Sequence, residues 1–256
     1  YNDIFSTRLL YGQFPVGFDL RLSLDLLLQE MVDQNLNGYV GTVIVMNAET
    51  SEILAMSTSP TFDSNTLEEN WAAWMEDKNA PLLNRATQAL YPPGAATGGI
   101  VLARFLSMYS LSATVPNFEW STVPGNPNFC AIMPGSVVTW GRLINSGCIK
   151  ALSTLSRSWS ISDTLALYTD LGLSAEPQIP LETSHPVFPG NVSSHASLYD
   201  GSTGLLVSPL QMTIMAASLA NGGKVVTPQI AVAFKSSTGD WVLLDKGAPP
   251  RALVNF

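Results

Sequence analysis

Residues 41–60, GTVIVMNAETSEILAMSTSP, constrain the fold more than any other stretch of the chain. Two apolar runs rich in β-branched residues flank a polar turn, which is the pattern of a β-hairpin. The first arm, GTVIVM, is apolar on both faces. A strand of that kind needs cover on both sides, so the hairpin predicts a sheet sandwiched between helices.

Helices to go with it are legible. The segment DLRLSLDLLLQEMVDQNL starts with strand-like alternation and turns helical at Asp25, a good N-cap residue, ending near Asn37 and Gly38. The clearest helix is SPLQMTIMAASLAN, which Ser208 caps, Pro209 starts and Gly222 and Gly223 close. Between these, LYPPGAATGGIVLARFLSMYSL sets a Pro-Pro-Gly turn directly ahead of an apolar, helix-period run, so a buried helix starts there. Further helical stretches are expected over 138–152 and 161–171. A surface helix over 65–78 would dock Trp71, Trp74 and Met75 on its own domain. Residues 112–136 and 178–204 are rich in Pro and Gly and read as loops. A second hairpin, QIAVAFKSSTGDWVLLD, turns at Thr238 and Gly239.

Composition limits the functions such a chain can serve. At 256 residues and 46% hydrophobic, it can fill one large core or two lobes that share one. Only 12% of residues are charged and the net charge is -8. The clustered Lys and Arg that neutralise a phosphate backbone are missing, so nucleic acid is excluded as a partner. No apolar run approaches the roughly 20 residues that cross a bilayer, and the first residues carry neither a basic nor an apolar leader region. Membrane attachment is therefore expected only through an anchor N-terminal to these residues.

His185 and His195 have no Cys, Asp or second His at ligand spacing; they read as solvated loop histidines, and neither metal nor cofactor is implied. Asn191 opens an Asn-Val-Ser sequon that carries little weight. Cys130 and Cys148 suit either one disulfide or two core thiols.

Three blocks, in order, carry a family resemblance. They are LSLDLLLQ with GTVIVMNAETSEILAMSTSPTFDSN, then PLLNRATQALYPPG, then LLVSPLQMTIMAASLANGGKVVTP. Together they resemble the transpeptidase domain of class B penicillin-binding proteins over roughly residues 16–232. The resemblance implies an α/β fold of the α+β kind, with an antiparallel sheet covered by helices plus a helical lobe. Residues 1–18 would be a lead-in from a preceding region and 19–256 the transpeptidase-like domain, its sheet part 19–60 and 224–256 and its helical lobe about 65–223. It also implies work on the extracytoplasmic face of a bacterial cell membrane, in the periplasm or at the cell surface. Peptidoglycan stem peptide or other cell-wall synthesis proteins would be the partners.

In that family the Pro-Pro-Gly turn leads into Ser-x-x-Lys. A Ser at a helix N-terminus sits in a positive field, and a Lys one turn later shares its face. Desolvated and neutral, the Lys takes the Ser proton and makes the hydroxyl a nucleophile. The matching residues here are Ala95, Ala96, Thr97 and Gly98, so nucleophile and base are both lost. Gly98 and Gly99 should each weaken the first turn by about 1 kcal/mol relative to Ala. Thr97 is the one hydroxyl nearby and lacks a neighbouring base.

The family's second motif, Ser-x-Asn, falls on Gly147, Cys148 and Ile149, with Leu152 and Leu155 facing the core. A one-residue slip puts Ser146, Gly147 and Cys148 there, and neither register supplies the Asn. The same resemblance favours a Cys130–Cys148 disulfide, with two buried thiols as the alternative.

The third motif, Lys-Thr-Gly, would lie some tens of residues past the last hairpin, and the family's C-terminal strands are expected to be missing from residues 1–256. The string from Lys235 to Gly239 is a hairpin turn instead.

The expected function is that of a catalytically inactive domain of this family with a structural, regulatory or peptide-binding role in cell-wall synthesis. In the peptide-binding version, backbone N–H groups of the turn Gly94, Ala95, Ala96, Thr97 would hold an anion. The alternative is a D,D-transpeptidase or carboxypeptidase whose Ser-x-x-Lys was replaced by design.

Overall fold

A computed structural model describes residues 17–110, 114–115, 117–244 and 251–252. Most of the lead-in expected over 1–18 lies outside them. Strand β1 (Leu20–Leu22) enters helix α1 (Leu26–Leu36), and the Asp25 carboxylate caps it by accepting from the N–H groups of Leu27 and Leu28. The hairpin follows as β2 (Gly41–Met46) and β3 (Ile53–Ser59), paired antiparallel from Gly41↔Ser59 to Met46↔Ile53. Helix α2 (Leu67–Glu76), a 3-10 turn at Gly94–Thr97 and α3 (Gly98–Leu106) come next. The lobe continues through α4 (Trp140–Asn145), α5 (Ile149–Ser156), α6 (Ile161–Asp170) and α7 (His195–Asp200). Helix α8 (Pro209–Ala220) leads to β4 (Lys224–Val225), β5 (Ala231–Lys235), β6 (Trp241–Leu243) and β7 (Arg251–Ala252).

Among the described residues all strand pairs are antiparallel, yet they form three small sheets rather than one: β1-β5-β6, β2-β3 and β4-β7. The cause lies along the outer edge of β3. Ser23 Oγ donates to the Ile53 carbonyl at 2.6 Å and Asp25 N–H donates to the Leu54 carbonyl at 2.9 Å. The Gln29 amide both accepts from Met56 N–H (2.8 Å) and donates to the Met56 carbonyl (3.2 Å). These groups satisfy the edge that a further strand would use. Just ahead of β3, an isolated bridge at Glu52↔Gln229 joins it to the chain entering β5, through Ile53 N–H to the Gln229 carbonyl and Gln229 N–H to the Ser51 carbonyl.

The prediction that β2 is covered on both faces is corrected. Helix α8 packs against it, but the strand is only half-buried and Val43 is exposed. Its partner β3 is the buried arm, with Ile53, Ala55 and Ser57 inside.

Helix α8 is shared between two cores. Leu210, Ile214 and Ala217 pack with Ile53 and Val226 on the sheet side. Met215 joins Ile100, Val101, Leu152, Leu155, Tyr168 and Leu198 in the lobe. Each fully buried Leu or Ile is worth about 2 kcal/mol. A capping box fixes the start of α8: Ser208 Oγ accepts from Gln211 N–H, and the Gln211 side chain accepts from Ser208 N–H. The Gln211 amide nitrogen also donates to the carbonyls of Gly172, Leu173 and Ala175, which tie down the end of α6. Gln211→Ala should therefore cost about 3 kcal/mol in urea unfolding, because it strands several buried polar groups at once.

Other elements depart from expectation. The stretch 138–152 is two helices, broken at Gly147, whose φ of +64° no α-helix accommodates. Helix α7 lies inside a predicted loop, capped by Ser194, and His195 opens it half-buried with Nε2 3.1 Å from the Trp159 carbonyl oxygen. His195 is thus not a solvated loop residue, whereas His185 is exposed beside Glu176. On α2 only Trp74 docks, against Phe62 at 5.6 Å; Trp71 and Met75 face solvent. The residues from Lys235 to Gly239 form the β5–β6 turn, with Ser236 N–H donating to the Asp240 carbonyl. Among the described residues no helix is long and apolar enough to cross a membrane, and no acidic, His or Cys group could hold a metal.

Candidate functional site

The Pro-Pro-Gly turn is pinned where Tyr91 and Val207 exchange backbone hydrogen bonds at 2.9 Å each, just ahead of the Ser208 cap. Gly94 follows with φ +48°, and a Cβ there would lie 3.2 Å from the Tyr199 carbonyl oxygen. The chain then makes a 3-10 turn before α3 starts at Gly98. Inside that turn Ala96 N–H donates to the Pro93 carbonyl and Gly98 N–H to the Ala95 carbonyl. Of the four residues named for a ligand-binding turn, Ala96 thus has its N–H engaged within the turn itself.

Thr97 is fully buried. Its hydroxyl donates to the Gly94 carbonyl at 2.9 Å and accepts from the Tyr168 hydroxyl at 2.8 Å, so it braces the turn and faces the core. Tyr168→Phe should cost about 1–2 kcal/mol by thermal melting, and Thr97→Val should cost more, because it removes the bond to the Gly94 carbonyl as well as the one from Tyr168.

Ala95 and Ala96 line a cleft of about 510 Å³ with Gly99, Ala131, Ile132 and Ile144. Gly147 completes it; a Cβ on Gly147 would stand 3.6 Å from that of Ala95. The structure thus brings Ala95 and Gly147 together. The other two motif positions are elsewhere. Ile149 packs into the lobe core. Gly98 is buried under α4 and α5, where an added Cβ would meet Ile144 Cγ2 at 2.8 Å and Leu152 Cδ2 at 3.0 Å. A Cβ contact of 2.8 Å is closer than real ones come and 3.0 Å is tight, so both core side chains would have to give way.

Cys130 and Cys148 are joined in a disulfide and fully buried beside Leu143 and Ala151. It holds the wall of the cleft: Ile149 N–H donates to the Phe129 carbonyl, and Ile132 N–H to the Ser146 carbonyl.

Among the described residues, none that lines the cleft carries a hydroxyl, thiol, amine, imidazole or carboxylate. The polar side chain among these described lining residues is that of Asn145, at the end of α4. Sequence reasoning passed over Asn145, since its place at the cleft depends on the helix break at Gly147.

Behind it, burial pushes the Tyr168 and Tyr199 hydroxyls up, Tyr199 to about 12. Burial is the larger influence on Tyr199, and the neighbouring Ser156 side chain opposes it without forming a well-aligned hydrogen bond. Its folded value lies above the ordinary 10.0, so the fold favours the neutral phenol. That contribution is complete below pH 10.0 and is lost as pH rises through about 12. Tyr199→Phe should match the wild type in denaturant at neutral pH and lose less stability in the alkaline range.

This lobe-and-sheet arrangement, with its Pro-Pro-Gly turn at the start of a buried helix, is that of a transpeptidase-type domain. Residues 41–249 match the family model for the penicillin-binding protein transpeptidase domain, and the chain belongs to that family. It is similar to the peptidoglycan D,D-transpeptidase MrdA of Escherichia coli, at 32% identity over 117 residues covering 43% of this chain and 18% of MrdA. The similarity to the peptidoglycan D,D-transpeptidase PbpA of Mycolicibacterium smegmatis runs longer, at 27% identity over 219 residues, covering 76% of this chain and 43% of PbpA. The chain therefore aligns with less than half the length of either relative.

Among solved structures, that of PBPA from Mycobacterium tuberculosis superposes with a TM-score of 0.74 at 21% identity, covering 93% of this chain and 60% of the other. The penicillin G acyl-enzyme complex of the M. tuberculosis protein gives 0.71 at 22%, covering 98% and 64%. These likenesses establish the fold.

Proposed function

We propose that this chain is a catalytically silent transpeptidase-type domain that serves peptidoglycan synthesis outside the cytoplasmic membrane as a structural or regulatory partner. One observation carries the reading. Gly98 stands where the family resemblance puts the basic Lys, and Ile144 and Leu152 have closed over it to within 2.8 and 3.0 Å of any added Cβ. Replacing a lysine by design would remove a side chain and leave the neighbouring packing cut to fit it. Here the packing is cut to fit glycine, which favours loss by descent over an altered enzyme.

The M. tuberculosis relative forms an acyl-enzyme with penicillin G. A methyl group at Ala95 has no oxygen with which to do the same. In the peptide-holding version of the role the turn would have to act without the Ala96 N–H, which is already engaged.

The test is release of D-alanine from an acyl-D-Ala-D-Ala peptide by the purified chain, followed over hours. Release no faster than in buffer is expected. Turnover that Ala95→Val abolishes would end the reading.

A further inference from the structure

A second and larger concavity lies away from the Ala95 cleft and shares no lining residue with it. It is an open groove of about 1020 Å³ bounded by α1, the end of β3 and residues 79–84. Its chemistry is unlike that of the cleft. Amides of Gln34, Asn37 and Asn84 line it together with the Asp33 carboxylate. Tyr39 and Phe62 line it as well, 69% and 37% exposed. Among the described residues no Lys, Arg or His lines it, so none of them would compensate a phosphate or a carboxylate.

Two features set this groove apart from an incidental hollow. The first is its wall. Arg85 is 5% exposed, and its guanidinium donates to the carbonyls of Asn79 and Ala80, the latter at 3.1 Å, while Arg85 N–H donates to Thr58 Oγ1. A buried charge is thus used to hold the 79–84 rim against β3. The second is its unspent polar groups. Among the described residues, the side chains of Asn37, Tyr39, Ser59 and Thr61 have no hydrogen-bond partner, although all four line the groove.

Amides offer a donor and an acceptor side by side, which suits the paired hydroxyls of a sugar. Exposed aromatic faces suit the apolar face of its ring. A volume at the upper end of the usual range for ligand sites has room for more than one ring. An apolar ligand would strand the amides and an anion would find no cation.

We propose that this groove binds a neutral oligosaccharide, with ring faces on Tyr39 and Phe62 and hydroxyl or acetamido groups on Asn37 and its neighbours. The assignment does not depend on the cleft at Ala95 being silent.

The experiment is saturation-transfer NMR and calorimetry on the whole chain, with chitotetraose and cellotetraose as probes. Saturable binding of at least one is expected. Tyr39→Ala and Asn37→Ala should each weaken it about tenfold. Both residues are exposed and their side chains hold nothing else in place, so the variants should melt with the wild type. If neither sugar binds at millimolar concentration, or both variants bind as the wild type does, the proposal is wrong.

Discussion

Rebuilding the family's residues through Ala95→Ser together with Gly98→Lys is expected to yield a less stable protein that remains inert toward penicillin. The backbone at Gly98 is ordinary right-handed helix, with φ of -57°, so any residue could adopt it. The obstacle is space. A Cβ meets Ile144 Cγ2 at 2.8 Å and Leu152 Cδ2 at 3.0 Å, and these side chains are 9% and 0% exposed. Overpacking of this kind costs about 1–3 kcal/mol. Gaining a better helix former returns only about 1 kcal/mol. The ammonium then needs a path out of the core or a partner within it, and a buried unpaired charge is costlier than the steric strain.

The expected loss in urea unfolding is about 3 kcal/mol or more for the double variant, and about 1–2 kcal/mol for Gly98→Ala, which isolates the steric part. Ala95→Ser alone should be nearly neutral, since Ala95 lines the open cleft. If the double variant is as stable as the wild type and takes up penicillin, the lobe has kept its lysine site and the altered-enzyme alternative is correct.

Removing the disulfide should have a comparable effect on stability. Cys130 and Cys148 are 18 residues apart, and closing a loop of that size is worth about 3 kcal/mol. Both cysteines are 0% exposed and share a small core with Leu143 and Ala151. Cys130→Ala with Cys148→Ala should therefore lower Tm by about 6–12 °C for a chain of this size. The loss should concentrate in residues 129–132, the cleft wall, which is otherwise tied to α4 and α5 by the backbone bonds Ile132 to Ser146 and Ile149 to Phe129. Amide exchange there should rise first. Equal melting of the double variant and the wild type, both under oxidising conditions, would contradict this account.

What the sequence made legible was whatever depends on neighbours along the chain. Asp25 and Ser208 announce their helices because a cap is a bond to a residue two or three positions ahead. The hairpin at 41–60 reads from its own alternation and turn, and the order of three family blocks predicts the antiparallel strands and helical lobe. What stayed hidden depends on distant partners. The division into separate sheets follows from Ser23 and Gln29 bonding to β3 some 30 and 27 residues away. Helix α7 has only six residues, too few to display a period. The half-exposure of β2 reflects how much of it α8 covers, which its own apolar letters do not record. In the site, Ala95 was readable from the Pro-Pro-Gly turn. That Gly98 is walled in by α4 and α5 was not, because the wall comes from residues 46 and 54 positions onward.

The most direct test of the central claim is intact-mass spectrometry of the chain after prolonged exposure to penicillin G, beside a catalytically competent relative treated the same way. The account predicts a full adduct on the relative and an unshifted mass here. A stoichiometric adduct on this chain, mapped to the 94–98 turn or to any residue around the cleft, would contradict it.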